Sequence, residues 1–366
     1  MRTLPVYQYR RSLDQTWKAL ENGKLTVGFI GGSITDGRPR NNWPEPVVAW
    51  FAETFPHARI HVENAAIGAT GSELAVFRAE RDLIERGCDL VFVDYAVNDL
   101  YATPERRMNT REGLLRKLLA DARRDVVFVY TFHIDMYEKM EHGGIPDSIA
   151  EFEQLAAHYE AGSVWMGLHA VKEIAAGRMR WEEWLPDGLH PGSRGSLSYA
   201  QSVIAYLETD SKHSASAGRQ AERTMPEPLS VRHWGATAFV PFENVRTEGP
   251  WVVRRWLDYE WIDRVLETAA VGAKLAFDFE GRGVALGFDF GQSSAEFRYR
   301  LDGGEWVASN RKRETWLPMD GLFSNYLISD ELENGKHTLE LEVVHGQTPD
   351  CKGTNCRIGY IGILRS

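Results

Sequence analysis

Residues 25–35 read LTVGFIGGSIT, an apolar run that stops abruptly on two glycines, a serine and a threonine. LTVGFI has no polar face, so it suits a strand covered on both sides, as in a parallel sheet sandwiched by helices. One glycine is enough for a turn. Two of them ahead of a lone hydroxyl imply either that the backbone must come close to something or that the hydroxyl must be presented.

The same pattern recurs downstream. RIHVE (59–63), DLVFVDY (89–95) and VVFVYTF (126–132) are further short apolar runs, each followed by a helical stretch. LAVFRAERDLIERG (74–87) ends on a C-capping glycine, and REGLLRKLLADARR (111–124) sets Leu114, Leu115, Leu118 and Leu119 on one face. This βαβα order predicts a doubly wound, flavodoxin-like α/β/α domain over residues 1–208. The polar segment 209–228, TDSKHSASAGRQAERTMPEP, reads as a linker. From 229 to 366 the period becomes two, as in KLAFDFEGRGVALGFDF (274–290), AEFRYRLDGGEWV (295–307) and HTLELEVV (337–344), with DGG and ENGK turns between runs. That predicts an all-β sandwich of about eight short strands.

Bulk properties narrow the function classes. A chain of 366 residues fits two domains, and 43 % hydrophobic with 26 % charged residues is a globular composition. The net charge of −10 and the lack of basic runs argue against a nucleic-acid partner. No stretch has signal-peptide or membrane-span character, so no membrane partner and a cytoplasmic address are expected. Among the three cysteines, Cys88 reads as a small core residue, and Cys351 and Cys356 as free thiols in a reducing compartment or else as a pair closing a small loop. No metal-ligand spacing is present, and GGSIT lacks the GxxxxGK or GxGxxG pattern of a phosphate cradle.

In an open α/β sheet, sites form beyond the C-terminal strand ends. Those loops carry Gly31-Gly32-Ser33, then Asn64 to Thr70 with Gly68, then Asn98-Asp99, and late in the domain Asp187-Gly188-Leu189-His190-Pro191. Each is ordinary alone: Ser33 would be a helix cap, Asn98-Asp99 a turn, His190 a surface histidine. Thr35 and Asp36 read as caps of the next helix. A serine nucleophile needs a base, and the base needs a carboxylate to orient it, which His190 and Asp187 can supply.

These four blocks, in order over residues 25–208, resemble the SGNH (GDSL-like) hydrolases, serine esterases on a flavodoxin-like sheet. The resemblance implies Ser33, His190 and Asp187 as the catalytic triad and the Ser33 and Gly68 N–H groups with the Asn98 amide as the oxyanion hole, with no cofactor or metal. The glycines then read as letting substrate approach while the serine is presented. Gly32 stands where the GDSL form has aspartate, which resembles a branch of carbohydrate acetylesterases. The two-domain order is similar to acetyl-mannan and acetyl-xylan esterases with a carbohydrate-binding-like module. The expected partner is an acetylated oligosaccharide or another small acyl ester, and a homo-oligomer is compatible with the chain. His133 is a candidate lining residue. In the β-domain Trp251, Trp256, Trp261, Trp306 and Trp316 are candidate stacking platforms against a core role, and the aromatic loop 314–327 offers Trp316, Asn325 and Tyr326 as substrate contacts. The alternatives are a short-chain thioesterase or lysophospholipase and a non-catalytic sugar-binding protein.

Overall fold

The computed structural model describes residues 4–36, 42–216, 224–256, 262–313, 321–349 and 351–366. The chain divides into two compact units, Met1–Gly235 and Ala236–Ser366.

The first unit is built on one six-stranded sheet: β1 (Tyr7–Gln8), β2 (Lys24–Gly31), β3 (Arg59–Asn64), β4 (Leu90–Asp94), β5 (Asp125–Val129) and β6 (Gly162–Val164), in the order β1-β6-β5-β4-β2-β3. β2 to β6 are parallel and β1 joins antiparallel to β6. The parallel part is the flavodoxin-like order, which places its reversal between β2 and β4. β2, β4 and β5 are buried throughout apart from Lys24, as their unbroken apolar runs require. β3 departs from that expectation. It is the edge strand and largely exposed, which is why its sequence alternates charge with isoleucine and valine. β1 and β6 were not legible, being two and three residues long.

The helices are α1 (Asp14–Glu21), α2 (Pro44–Thr54), α3 (Ser72–Ala79), α4 (Pro104–Leu119), α5 (Tyr137–Glu141), α6 (Asp147–His158), α7 (Met166–Ala175), α8 (Trp181–Trp184) and α9 (Ser193–Ser216). α4 shows the local logic: Arg106 N–H donates to Thr103 Oγ1 at the cap, Pro104 opens the first turn, and Leu114, Leu115, Leu118 and Leu119 are all buried. α3 widens into an i→i+5 turn over Glu80–Ile84, and Gly87 follows at φ 68°. Cys88 is buried under Gly28, and burial pushes its thiol up to about 12.

The segment read as a linker starts as helix. α9 runs to Ser216, and its Asp210 is buried and accepts hydrogen bonds from Leu13 N–H (3.0 Å) and Trp17 Nε1 (2.8 Å). Residues 224–235 then belong to the first unit. Glu112 on α4 is fully buried and accepts from the N–H groups of Leu229 and Ser230, both at 2.6 Å, while Trp234 N–H donates to Asn109 O at 2.9 Å. A buried carboxylate needs such donors, and the passing backbone supplies them.

The second unit has eleven strands among the described residues, more than expected because several have only two to four residues. β7 (Thr237–Phe239), β9 (Val252–Arg255), β10 (Arg264–Thr268), β12 (Gly283–Phe290), β15 (Leu322–Ser329) and β17 (Cys356–Leu364) form one antiparallel sheet. β8 (Arg246–Glu248), β11 (Lys274–Gly281), β13 (Glu296–Leu301), β14 (Val307–Ala308) and β16 (Gly335–Val344) form the other. Alternate residues such as Leu275, Phe277, Leu339, Leu341 and Val343 fill a shared core with Leu286, Phe288, Ile361 and Ile363. Cys351 and Cys356 are free and buried. Among the described residues no helix is long and apolar enough to cross a membrane.

Candidate active site

Ser33 lies in the turn leaving β2, where Thr35 and Asp36 N–H groups fold back onto Gly32 O at 3.1 and 3.0 Å. Its Oγ stands 2.9 Å from His190 Nε2. On the other side of the imidazole, Nδ1 is 2.8 Å from Asp187 Oδ2. Asp187 Oδ1 also accepts the N–H groups of Leu189 (2.9 Å) and His190 (2.7 Å), so one carboxylate shapes the loop and orients the ring. Partial burial pushes Asp187 up, but the hydrogen bonds from the His190 ring and from the two N–H groups outweigh it and hold the carboxyl below its usual range. An ionised Asp187 assigns the ring proton to Nδ1 and leaves Nε2 to accept the Ser33 hydroxyl proton.

The two glycines are explained by packing. A Cβ on Gly32 would lie 2.0 Å from Asn98 Oδ1, and one on Gly31 would lie 2.9 Å from Asp94 O. The backbone must come close to something: the Asn98 side chain fills the space beside Gly32. The expectation that both glycines clear a path for substrate is thus corrected. Gly32 is the condition for placing Asn98 next to Ser33, and an aspartate there would collide with it.

Asn98 and Ser33 bring two donors together. Neither the Asn98 amide nor the Ser33 N–H makes a hydrogen bond to protein among the described residues. Gly68 differs. Its N–H donates to Asp36 Oδ2 at 3.2 Å, so the third expected donor is already engaged. Nor do Thr35 and Asp36 cap α2, whose cap residue is Trp43 with no side-chain cap bond. Thr35 Oγ1 instead donates to Asp94 Oδ2 (2.7 Å) and accepts from Trp43 Nε1 (2.9 Å).

Two buried carboxylates, Asp94 and Asp99, support this half of the site. Asp94, at the end of β4 and 1 % exposed, accepts Thr35 Oγ1 from the serine loop and Thr131 Oγ1 (2.8 Å) from the loop after β5. Burial pushes it up to about 6 against the hydrogen bonds from the two threonines. Asp99, read as turn chemistry, accepts Ser72 N–H (2.9 Å), Ser72 Oγ (2.7 Å) and Arg111 Nε (2.8 Å). It therefore caps α3 from outside and fixes the residue next to Asn98. Arg111 is buried, lies 3.9 Å over the Phe152 ring, and also donates to Ser148 O and Oγ. The only sequence signal was an aspartate interrupting an apolar strand at 94 and an arginine on the apolar face of α4 at 111.

His133 leaves β5 on a neighbouring loop. Its Nδ1 accepts Asp135 N–H at 3.2 Å, and the next residue, Ile134, donates its N–H to Gly188 O at 3.2 Å, within the Asp187–His190 loop.

The residues expected in the β-domain fare differently. Trp316 and Trp261 lie outside the described residues. Asn325 and Tyr326 are on strand β15, where a loop was expected. The Tyr326 ring packs edge-on against Phe297 at 5.2 Å and its hydroxyl donates to Ser309 O, which commits it to the core. Asn325 Oδ1 accepts Tyr360 O–H at 2.5 Å. Trp251 packs on the sandwich core, Trp256 lies under Arg357 at 4.5 Å, and Trp306 lies between Arg298 and Arg300 at 4.9 and 4.8 Å. Among the described residues no group of three or more His, Cys, Asp or Glu side chains could hold a metal ion.

Residues 29–196 match the model of the GDSL-like lipase/acylhydrolase family. Over 98 % of its length the chain superposes, at 24 % identity and a TM-score of 0.81, on 97 % of a two-domain esterase (CEX) active on acetylated mannans. The same esterase co-crystallised with mannopentaose aligns at 23 % identity and a TM-score of 0.80 over 98 % of this chain and 96 % of that one. Axe2, an acetylxylan esterase from Geobacillus stearothermophilus, aligns with 50 % of this chain and 94 % of its own at 20 % identity and a TM-score of 0.40. No curated protein sequence matches the chain.

Proposed function

We propose that the chain, whose residues 29–196 match the model of the GDSL-like lipase/acylhydrolase family, is a carboxylic ester hydrolase that removes acetyl or similarly short acyl groups from a carbohydrate by serine catalysis. One observation carries the mechanism: the hydrogen-bonded run from Ser33 Oγ through the His190 ring to Asp187, at 2.9 and 2.8 Å.

Ser33 Oγ attacks the ester carbonyl carbon as its proton passes to His190 Nε2. Asp187 holds the imidazole and stabilises the imidazolium that forms. The carbonyl oxygen, now negative, accepts from the Ser33 N–H and the Asn98 amide, donors that make no protein hydrogen bond among the described residues. Collapse of the tetrahedral intermediate breaks the bond to the sugar oxygen, which takes the proton from His190, and leaves an acyl-serine. Water, deprotonated by His190, then attacks the acyl carbon, and Ser33 recovers its proton as acetate departs.

The carbohydrate part of the proposal is supported by the fold shared over nearly the whole chain with an esterase active on acetylated mannans. It is tested by mass spectrometry of acetylated manno- and xylo-oligosaccharides after incubation with the protein, beside aryl esters of increasing chain length. Loss of about 42 Da per acetyl from the sugars, and falling rates beyond about four acyl carbons, are expected. Rising rates toward long chains, with the sugars untouched, would instead assign a lysophospholipase-type activity.

A further inference from the structure

The loops after β4 and β5 build a structure beside the triad that the mechanism above does not use. Tyr101, three residues past Asn98, is 77 % exposed, yet it is held in place. Its hydroxyl donates to Asp135 Oδ2 at 2.6 Å, and its ring stands edge-on to His133 with centroids 6.3 Å apart. The hydrogen bond to Asp135 is also the main reason the phenol is held above its usual range. Restraining a side chain in solvent costs conformational entropy, and here almost no apolar burial offsets it. A rigid, exposed aromatic ring does make sense as a preorganised contact surface, because its ordering cost is met before a ligand arrives.

The surrounding groups say what kind of ligand. Asp135 N–H donates to His133 Nδ1, which puts the ring proton on Nε2; that N–H makes no protein hydrogen bond among the described residues. Ile134, 44 % exposed, sits between them. The set therefore offers one aromatic face, one hydrogen-bond donor, one carboxylate and a single aliphatic contact. A long acyl chain needs a continuous apolar groove, which is not what these residues make. A pyranose ring, with an apolar C–H face and hydroxyls at its edge, matches the set. The position also fits. Ile134 N–H donates to Gly188 O at 3.2 Å, and a Cβ on Gly188 would lie 3.6 Å from Ile134 Cβ, so this surface adjoins the loop that carries Asp187 and His190.

We propose that Tyr101 is the platform on which the sugar bearing the ester stacks, with His133 Nε2–H donating to a sugar hydroxyl and Asp135 fixing both rings. This rests on the carbohydrate esterase activity proposed above, and it assigns that activity a specificity determinant.

Binding and turnover separate the two ideas. In the Ser33→Ala background, unacetylated mannopentaose and xylopentaose are titrated by calorimetry, with and without Tyr101→Ala. Removing a stacked ring should weaken binding of at least one pentaose roughly 5- to 10-fold. In the Ser33-intact protein, Tyr101→Ala should raise KM for an acetylated oligosaccharide by a similar factor with kcat unchanged, and leave hydrolysis of a small aryl acetate within twofold. Tyr101→Phe, which keeps the ring and loses the tie to Asp135, should fall between. Equal losses on both ester substrates, no change on either, or no binding of either pentaose to the Ser33→Ala protein would overturn the platform. Full esterase activity in Ser33→Ala would overturn the mechanism while leaving the pentaose titration able to uphold the platform. Matching thermal unfolding and far-ultraviolet spectra exclude misfolding as the cause of any loss.

Discussion

Ser33 and Asn98 rest on groups withdrawn from water, whereas Asp187 and His190 stand half in solvent, with side chains 54 and 48 % exposed. Under the first pair lie Asp94 and the Asp99–Arg111 ion pair, 5 % exposed at Asp99 and 1 % at Arg111, reaching α3, α4 and the first turn of α6. Apart from the Ser33–His190 bond, the second pair is held by bonds within its own four residues, by Gly188 N–H donating to Leu185 O and by Ile134 N–H donating to Gly188 O. The difference fits the roles proposed for each half. Oxyanion donors act only if they already point where charge develops, and rigid buried anchors secure that. A general base must exchange protons with substrate and water, which a half-exposed ring on a locally ordered loop allows. An exposed pair such as Asp187–His190 adds little stability, so this half should be catalytically costly and structurally cheap to remove.

The largest effects test that cheapness. Ser33→Ala and His190→Ala should each lower kcat by roughly 10⁴–10⁶, because the proposed triad would act as a unit. Asp187→Asn should lose about 10⁴ by favouring the wrong imidazole tautomer. None should shift the unfolding midpoint by more than about 2 °C, the scale of a surface change in a unit this size. A large drop in midpoint with Asp187→Asn, read by calorimetry, would show that this loop is part of the structural framework and erase the contrast.

Arg111→Ala should behave in the opposite way. It strands Asp99 as an uncompensated buried charge, which typically costs about 3–5 kcal/mol. Because Asp99 is next to Asn98, kcat should fall in whatever fraction folds, with KM steady. Arg111→Lys restores charge without the fork that reaches Ser148, so it should recover only part of either. Asn98→Ala should lower kcat by about 10²–10³ with stability nearly unchanged. An Arg111→Ala protein with native midpoint and native kcat would mean that the buried network does not hold the oxyanion half.

The two halves also differed in how far the sequence disclosed them. Ser33, Asn98, Asp187 and His190 each follow a strand end or open a late loop, and their order alone brought them to one place. The parallel sheet was legible from apolar runs such as LVFV (90–93), because burial on both faces favours apolar residues at successive positions. What sustains them was not. Asp99 and Arg111 are 12 residues apart in sequence but meet only because the turn after β4 folds back on α4, and a single sequence cannot pair them. Gly68 shows the limit from the other side. Its place after β3 is as expected, but its N–H goes to Asp36, an acceptor that becomes close only when the serine loop folds over. β15 reads as a loop in the sequence because its turn signals, Pro318 and Gly321, come just before the strand begins at Leu322.

Asp94 gives the comparison a pH signature. Its folded value of about 6 lies above the 3.8 of an open chain, so the folded unit binds this proton more tightly than the unfolded chain does. The sign follows: Asp94's share of stability is present in full below about pH 4 and is lost as pH rises through 6. A gap of roughly two units is worth about 3 kcal/mol, on the scale of 1.36 kcal/mol per unit. Asp94→Asn abolishes the titration while keeping one oxygen to accept from Thr35 or Thr131, and either hydroxyl can turn to accept from the new amide. Urea unfolding of both proteins from pH 4 to pH 8 should therefore show the difference in stability moving toward the variant by about 3 kcal/mol across that range. At pH 8 the variant should be at least as stable as the parent. Its kcat should still fall by a modest factor, because the ionised carboxylate that accepts both threonines holds the Ser33 loop against the loop after β5. A stability difference independent of pH would mean that Asp94 stays ionised in the fold despite its burial. The support beneath Ser33 would then have to be counted as a fully charged site, held by hydrogen bonds stronger than the two threonines supply.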